Sequence, residues 1–430
     1  AVANKIEAYN IPQGVILHVF RATAGKKPGV ITHVGLRTFV DPRETGGKLN
    51  SISHEEYVRL MEIDGKEYLF YKAIPINVAI VRGTTADENG NVSIEREAIS
   101  LEFALLALAA KGSGGKVIVQ VERVTKAGTL HPMMVKIPKV WVDAIVVAKP
   151  ENHWQVPMAE QYNPSLCGET RVPLSRITPL PMSERKVICR RCVMELIPNA
   201  VVNMGIGMPE GCGAVAAEED LIELMTMTVE PGAIGGVPGG KLYFGSAINP
   251  EALVDHPLMF DFYDGGGLDL AVLGMAEMDQ FGNVNVSKFG PRIAGAGGFI
   301  NITQSTKRVV FCGTLTASGL ELGFDGGKLK VVKEGKVKKL VKKVEHITFS
   351  GEYGKTSGQT VLYVTERAVF KLTPEGVMLT EIAPGLDMEK DVLSQMEYRP
   401  LIAPKVKLMD ARLFKEGPIG IKPEIMKKAK

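Results

Sequence analysis

Cysteine is scarce in this chain. Only five occur, Cys167, Cys189, Cys192, Cys212 and Cys312, too few and odd in number for a disulfide framework, which points to a reducing compartment such as the cytoplasm. Aromatic residues make up 6%, which argues against an aromatic-rich all-β shell. A large excess of one charge is also missing: 51 Lys and Arg against 48 Asp and Glu leave +3, too thin a surplus for a nucleic-acid footprint. An anionic ligand must therefore be met by local groups. Long hydrophobic runs are absent too. The longest strictly apolar one, residues 103–110, is far below the roughly 18 residues that cross a membrane, and no signal-peptide pattern opens the chain. The seven histidines form no H-x-x-x-H pair. Cys189-x-x-Cys192 has no second Cys or His pair at zinc spacing, so no metal site is expected and both cysteines read as core.

What the chain does have is length and glycine. Its 430 residues predict two or three domains, and its 46 glycines fit the tight strand-to-helix turns of an α/β protein. Two segments resemble each other: Ala86-Asp87-Glu88-Asn89-Gly90-Asn91-Val92 and Glu277-Met278-Asp279-Gln280-Phe281-Gly282-Asn283-Val284 both carry Asp, two spacers, then Gly-Asn-Val. Each is followed by an apolar run and then Gly-Thr-Leu, at residues 128–130 and 313–315. An ordered pair of matches predicts two copies of one open α/β unit. Between them Pro150, Pro157, Pro164, Pro173, Pro179 and Pro181 mark a linker, giving a first domain over 1–182 and a second over 183–430.

Helical character is read over 99–110 and 183–197, and buried strands over 116–120, 200–203, 268–273 and 308–312. Gly205-Ile-Gly-Met-Pro-Glu210 turns from a strand into a helix. The first copy has no such opening strand and glycine turn, and the chain starts at Ala1, so the first domain reads as truncated.

Three places could carry chemistry. Glu230 ends the apolar run 224–229 and precedes Pro231-Gly232-Ala233-Ile234-Gly235-Gly236; it is either a solvated turn acid or a nucleophilic carboxylate at a strand's C-terminal end. Residues 290–298 pack four glycines into nine positions, which suits either tight corners or backbone N–H groups cradling an oxyanion. Gln13, between Pro12 and Gly14, begins the helical run 15–20 and reads as a helix cap or a neutral amide donor. The eight lysines of 328–343, interrupted at Glu334-Gly335, suggest a hairpin with a solvated lysine face or a contact to a phosphorylated ligand.

Taken together, Pro12-Gln13-Gly14, residues 86–92, Thr228-Val229-Glu230-Pro231-Gly232, residues 235–238, residues 260–267, Lys288 through Gly298, and Thr380 through Gly385 resemble the family I coenzyme A transferases, in the single-chain acetate or propionate branch. The resemblance covers essentially the whole chain. It implies two tandem homologous domains with the active site in the cleft between them. It also implies that Glu230 is the catalytic glutamate, Gln13 the oxyanion-hole amide and Gly298 the opposing backbone donor, with Gly232, Gly297 and Asn283 contacting substrate. Pro231 departs from the branch, which often has a small polar residue there. The expected activity is ping-pong transfer of CoA from a short-chain acyl-CoA to a small carboxylate through a glutamyl-CoA thioester. No metal or redox cofactor is implied, coenzyme A being a substrate, and a homo-oligomer is expected. An acyl-CoA hydrolase using the same Glu230, and a non-enzymatic ligand sensor, are the alternatives.

Overall fold

Runs of β-branched and aliphatic residues become parallel strands here because helices cover both faces and leave no solvent side to alternate toward. The computed structural model describes residues 1–173 and 179–428. Its main sheet has ten strands, ordered Ala252–Leu253, Ala233–Ile234, Met225–Val229, Ala200–Met204, Leu270–Gly274, Arg308–Cys312, Thr360–Val364, Ala368–Thr373, Gly376–Ile382 and Leu401–Leu408. The strands from Met225–Val229 to Thr360–Val364 run parallel. The expectation of a mostly parallel sheet holds for this centre, whereas Ala368–Thr373 pairs antiparallel with both its neighbours.

The pleat divides the core in two. Leu270 and Val272 face the cluster holding helices α3 (Glu184–Val193) and α4 (Gly211–Glu218). Ala271 and Leu273 face the cluster of α5 (His256–Asp264) and α6 (Phe299–Ser305). Fully buried side chains such as Phe311 and Leu270 each contribute about 1.5–3 kcal/mol by leaving water. Ser183 caps helix α3, its hydroxyl accepting the N–H of Lys186, and the helix ends at Val193, before the residue 197 that periodicity suggested. Cys189 and Cys192 are buried in it, as core packing required.

The first part of the chain holds a smaller parallel sheet, Val78–Arg82, Lys116–Val121 and Ala144–Val147, with Lys116–Val121 central. Ala79, Val81, Val117 and Val119 pack against Ala107 and Ala110 of α2 (Phe103–Gly112). Helix α1 (Gln13–Ala24) buries Val15, Leu17, Val19 and Ala22. Of the Pro-rich stretch, Pro150–Asn152 forms a 3₁₀ turn and residues 174–178 lie outside the described ones.

The two short matching segments are one structure built twice. Asp87 accepts the N–H groups of Asn89 (3.0 Å) and Asn91 (2.9 Å) and the Asn91 side-chain amide (3.0 Å). Asp279 accepts those of Phe281 and Asn283 and the Asn283 amide, each at 3.0 Å. Each Asp ends a strand paired antiparallel on one side and parallel on the other. The Gly-Thr-Leu match, by contrast, is not equivalent. Gly313 directly ends a core strand, while Gly128 lies past a further short strand, where its N–H meets Asp87 at 3.3 Å. Val344 takes that place beside Asp279, at 3.2 Å. The second copy carries an inserted hairpin, Glu321–Asp325 with Lys328–Lys333. It turns at Gly326 and Gly327, both at positive φ, not at Glu334-Gly335 as the charge pattern suggested; Glu334 instead pairs with Arg367.

Candidate active site

Glu230 follows the Met225–Val229 strand directly, in a turn closed by the Gly232 N–H donating to the Val229 carbonyl at 2.9 Å. Its side chain is only 7% exposed. Among the described residues one side-chain donor reaches it: Asn203 Nδ2, at the end of the neighbouring strand, lies 3.3 Å from Oε2. The same amide lies 3.3 Å from the hydroxyl of Tyr263, which donates to Thr228 Oγ1 at 2.8 Å. Burial pushes the Glu230 carboxyl up from its ordinary value, against the lowering effects of its own backbone N–H, Asn203 and nearby His256. A buried carboxylate with so few donors is poorly solvated, which keeps its lone pairs reactive.

Gly232 keeps the following loop in place. Its φ is +125°, and a Cβ there would stand 1.9 Å from the carbonyl oxygen of Val254, so only glycine fits. Val254 also donates to the Gly232 carbonyl at 2.9 Å. This ties the Glu230 loop to the start of α5, where His256 Nδ1 lies 2.9 Å from Glu102 Oε2. His256 Nε2 is buried with no hydrogen-bond partner among the described residues.

Gln13 is the first residue of α1, after Pro12, and no side-chain cap forms there. Its backbone N–H donates to Gly297 at 2.9 Å. Gly298 occupies the N-cap of α6, and a Cβ on it would meet the Phe260 ring at 2.9 Å. On Gly14 a Cβ would crowd both Phe260 and Asn301, at 2.6 and 2.5 Å. The ends of α1 and α6 therefore meet through glycine, and Asn301 locks them by accepting the Gly14 N–H (3.1 Å) and donating to Asp264. Burial pushes Asp264 up to about 7. Gln13, Gly297, His256 and Glu102 line one cavity of about 430 Å³, with Leu17 and Phe20 as its apolar wall.

The structure thus brings together Gln13, Gly297 and Gly298 on one side of α5, while Glu230 contacts the network of Tyr263 on that same helix. Gly232 belongs to the Glu230 loop as a backbone element. Asn283 joins neither group: its amide donates to Asp279 and its oxygen accepts the N–H of Gly351 at 2.9 Å, so both ends are committed to the turn. Sequence reasoning missed Asn203, Tyr263 and the His256–Glu102 pair. Asn203 was signalled by its place just before Gly205-x-Gly. The pairing of His256 with Glu102, 154 residues apart, left no local signal.

Comparison with known proteins gives the family. The family pattern "Coenzyme A transferase" matches residues 1–148. Over 420 residues the chain is 51% identical to a caffeate CoA-transferase of Acetobacterium woodii, covering 96% of this chain and 80% of that protein. It is 44% identical to the acetate CoA-transferase YdiF of Escherichia coli K12, covering 98% of this chain and 79% of the relative. The crystal structure of the acyl-CoA transferase YdiF apoenzyme from E. coli O157:H7 superposes with a TM-score of 0.92 at 44% identity, covering 97% of this chain and 79% of that one. YdiF has also been crystallised as a thioester complex with CoA. With its buried strand-end glutamate and these likenesses along nearly its whole length, the chain belongs to the coenzyme A transferase family.

Proposed function

We propose that this protein moves coenzyme A from a short-chain acyl-CoA to a small free carboxylate, with Glu230 as the nucleophile. The observation that carries the reading is the desolvated Glu230 carboxylate, 7% exposed, with Asn203 as its one side-chain donor among the described residues. Its oxygen attacks the thioester carbonyl and expels CoA thiolate, giving a mixed anhydride. The thiolate then attacks the glutamyl carbonyl of that anhydride, releasing the first acid as its carboxylate and leaving a glutamyl-CoA thioester. An acceptor carboxylate attacks this thioester to form a new anhydride and free the thiolate again. Attack of the thiolate on the acyl carbonyl gives the new acyl-CoA and restores Glu230.

Each step passes through a tetrahedral oxyanion. The Gln13 amide, free of side-chain bonds among the described residues, and the Gly298 N–H are the proposed donors, each worth about 3 kcal/mol when aimed at that oxygen. The steps call on no metal or redox cofactor. The apolar wall beside Gln13 and His256 suits the hydrocarbon part of a monocarboxylic acid. Free cysteines throughout fit a cytoplasmic protein, and a homo-oligomer is the proposed state, which light scattering measures directly. No helix among the described residues is long and apolar enough to cross a membrane.

Incubation with acyl-CoA alone, borohydride reduction and peptide mapping should mark Glu230. A mark on another acid, or no mark, removes the assignment. Product analysis without an acceptor separates transfer from hydrolysis: a hydrolase consumes acyl-CoA steadily, whereas a transferase stops after one equivalent.

A further inference from the structure

A helix begins with backbone N–H groups that have no carbonyl one turn back, and α1 gives its first two to the other copy. Pro12, at its N-cap, supplies no side-chain acceptor. The Gln13 N–H goes to the Gly297 carbonyl at 2.9 Å, and the Gly14 N–H goes to the side-chain oxygen of Asn301 at 3.1 Å. Asn301 lies 287 residues further along, in the first turn of α6, and is fully buried. It caps α1 from outside the helix. The same contact sets the spacing of the two proposed oxyanion donors. Gln13 directly precedes Gly14, and Gly298 stands three residues before Asn301. The Phe260 ring is wedged between the two glycines, 2.6 Å from where a Cβ on Gly14 would stand and 2.9 Å from one on Gly298. A shift at the Gly14–Asn301 bond therefore moves one donor against the other.

An asparagine side chain has one donating and one accepting end, and Asp264, the last residue of α5, decides which of them faces Gly14. Its two oxygens take the Asn301 Nδ2 at 2.9 and 3.1 Å. An ionised carboxylate only accepts, so the amide nitrogen is drawn to it and the amide oxygen is left for the Gly14 N–H. A protonated carboxyl also donates. The amide is then free to turn over, which sets its NH₂ against the Gly14 N–H, donor against donor, and leaves that N–H without an acceptor.

Resting on the transferase reading, we propose that Asp264 and Asn301 are positioning residues for the oxyanion hole: ionised Asp264 orients the Asn301 amide, the amide holds α1 so that Gln13 stands opposite Gly298, and a proton taken up from solvent by Asp264 releases that hold. Burial lifts the Asp264 carboxyl to about 7, with the Asn301 amide opposing and Asp261 on the same helix adding to the rise. The other titratable groups around it are engaged elsewhere. His18 and Arg21 of α1 lie 2.9 and 3.0 Å from Asp261. Tyr71, from the strand Lys66–Lys72, donates to the Val34 carbonyl at 2.7 Å. Tyr263 donates to Thr228, and His33 lies 3.0 Å from Ser305. Helix α6 itself carries no ionisable side chain.

The experiment measures kcat and KM for acyl exchange from pH 5 to pH 9 in wild type, Asp264→Asn, Asn301→Ala, Gln13→Ala and the Gln13→Ala/Asn301→Ala double variant. Hydrogen exchange of the peptide from Gln13 to Leu17, corrected for its intrinsic pH dependence, and melting curves accompany it. Asn at 264 keeps the volume and cannot ionise. The ratio of wild-type to Asp264→Asn kcat should be near one at pH 5 and about 10 at pH 9, part of the 10²–10³ that a wholly lost oxyanion donor costs. Its midpoint should lie near 7; the titration of Glu230, common to both proteins, cancels. Protection of the α1 peptide should rise through the same midpoint in wild type alone. Asn301→Ala should lower kcat by about 10-fold at pH 8 with KM for acyl-CoA unchanged, and should cost little more once Gln13 is already Ala, because residues that act through one another are not additive. A folded Asp264→Asn protein with the wild-type pH profile overturns the proposal, and so does an Asn301→Ala loss that is equal in both backgrounds. If the α1 protection follows pH as expected but acyl-CoA never marks Glu230, the clamp on α1 stands and the transferase reading fails instead.

Discussion

Two cavities occupy the same place in the two copies of the repeated unit, at the C-terminal ends of their parallel strands. In the first copy the cavity holds about 450 Å³ and carries Arg82 and Arg96. Both are neutralised: Arg82 Nε lies 2.8 Å from Glu97, and Arg96 pairs with Glu122 at 3.3 Å while covering the Tyr162 ring. In the second copy Lys339 and Arg292 have no such partners among the described residues. The shared scaffold places both cavities, and the charge balance at their rims sets them apart.

The largest effect expected from that asymmetry is at Glu230. Glu230→Gln should abolish acyl exchange, a loss of at least about 10³-fold as for other nucleophile deletions, and Glu230→Asp should keep only a trace because the carboxylate retreats by a methylene. The pKa of Glu230 lies above its ordinary value of 4.5 because the site is dry. The folded state therefore holds that proton more tightly than the unfolded one, and stability falls as pH rises from 4.5 through the folded value. Glu230→Gln should accordingly melt higher than wild type at pH 8, with the gain vanishing below pH 4. A pH-independent difference in Tm would show that the carboxylate is not desolvated in solution. Activity of the wild type should rise with pH through an apparent pKa above that of a free glutamate.

Next is Gln13, which tests whether the first copy contributes to the chemistry at all. No cap bond forms at its side chain, so Gln13→Ala should cost little stability and cut kcat by about 10²–10³, the usual loss for one preorganised oxyanion donor. Single-turnover rate and Tm on the same variant decide it: a destabilised but fully active protein would make Gln13 structural. Gly232→Ala should be costly in another way. With φ at +125° and the Val254 oxygen 1.9 Å from the new Cβ, the Glu230 loop must shift, and a loss of about 3 kcal/mol or more is expected in urea unfolding.

Much of this was legible in the sequence because local rules govern it. The strand at 308–312 was bounded correctly because an unbroken buried run has one reading in a two-sided sheet. The repeat was visible because Asp, Gly and Asn are all required by one turn, whose Asp accepts three local donors and whose Gly90 and Gly282 take positive φ. What stayed hidden depends on long-range packing. Nothing near Lys339 in sequence distinguishes it from the seven exposed lysines around it; the distinction comes from Gly313, just after a strand and 26 residues earlier, whose missing Cβ leaves room for the Lys339 Nζ. The Gly-Thr-Leu match misled for the related reason that a short motif carries no information about an insertion beside it. Asn283 was drawn into the site by its family motif, whereas its amide serves the turn in the same way as Asn91 does in the other copy.

That equivalence gives the smallest and cleanest test of the comparison. Asp87 and Asp279 each accept two local N–H groups, an asparagine amide and one distant backbone N–H, from Gly128 and Val344 respectively. Changing either to Asn replaces one acceptor oxygen by an NH₂ that faces donors, at a cost of about 1–3 kcal/mol. Because the two networks match bond for bond, Asp87→Asn and Asp279→Asn should lower the urea midpoint by similar amounts, with kcat unchanged in both. For Asp87, burial alone would raise the carboxyl, but the four hydrogen bonds outweigh it and hold the pKa below 3.8. Its stabilising share is therefore present above that pH and lost as acid titrates the folded carboxyl, so wild type and Asp87→Asn should converge in stability at strongly acid pH. Should Asp279→Asn alone lose activity while both lose equal stability, Asn283 would regain a role in substrate binding, and the two copies would differ in their turns as well as in their cavities.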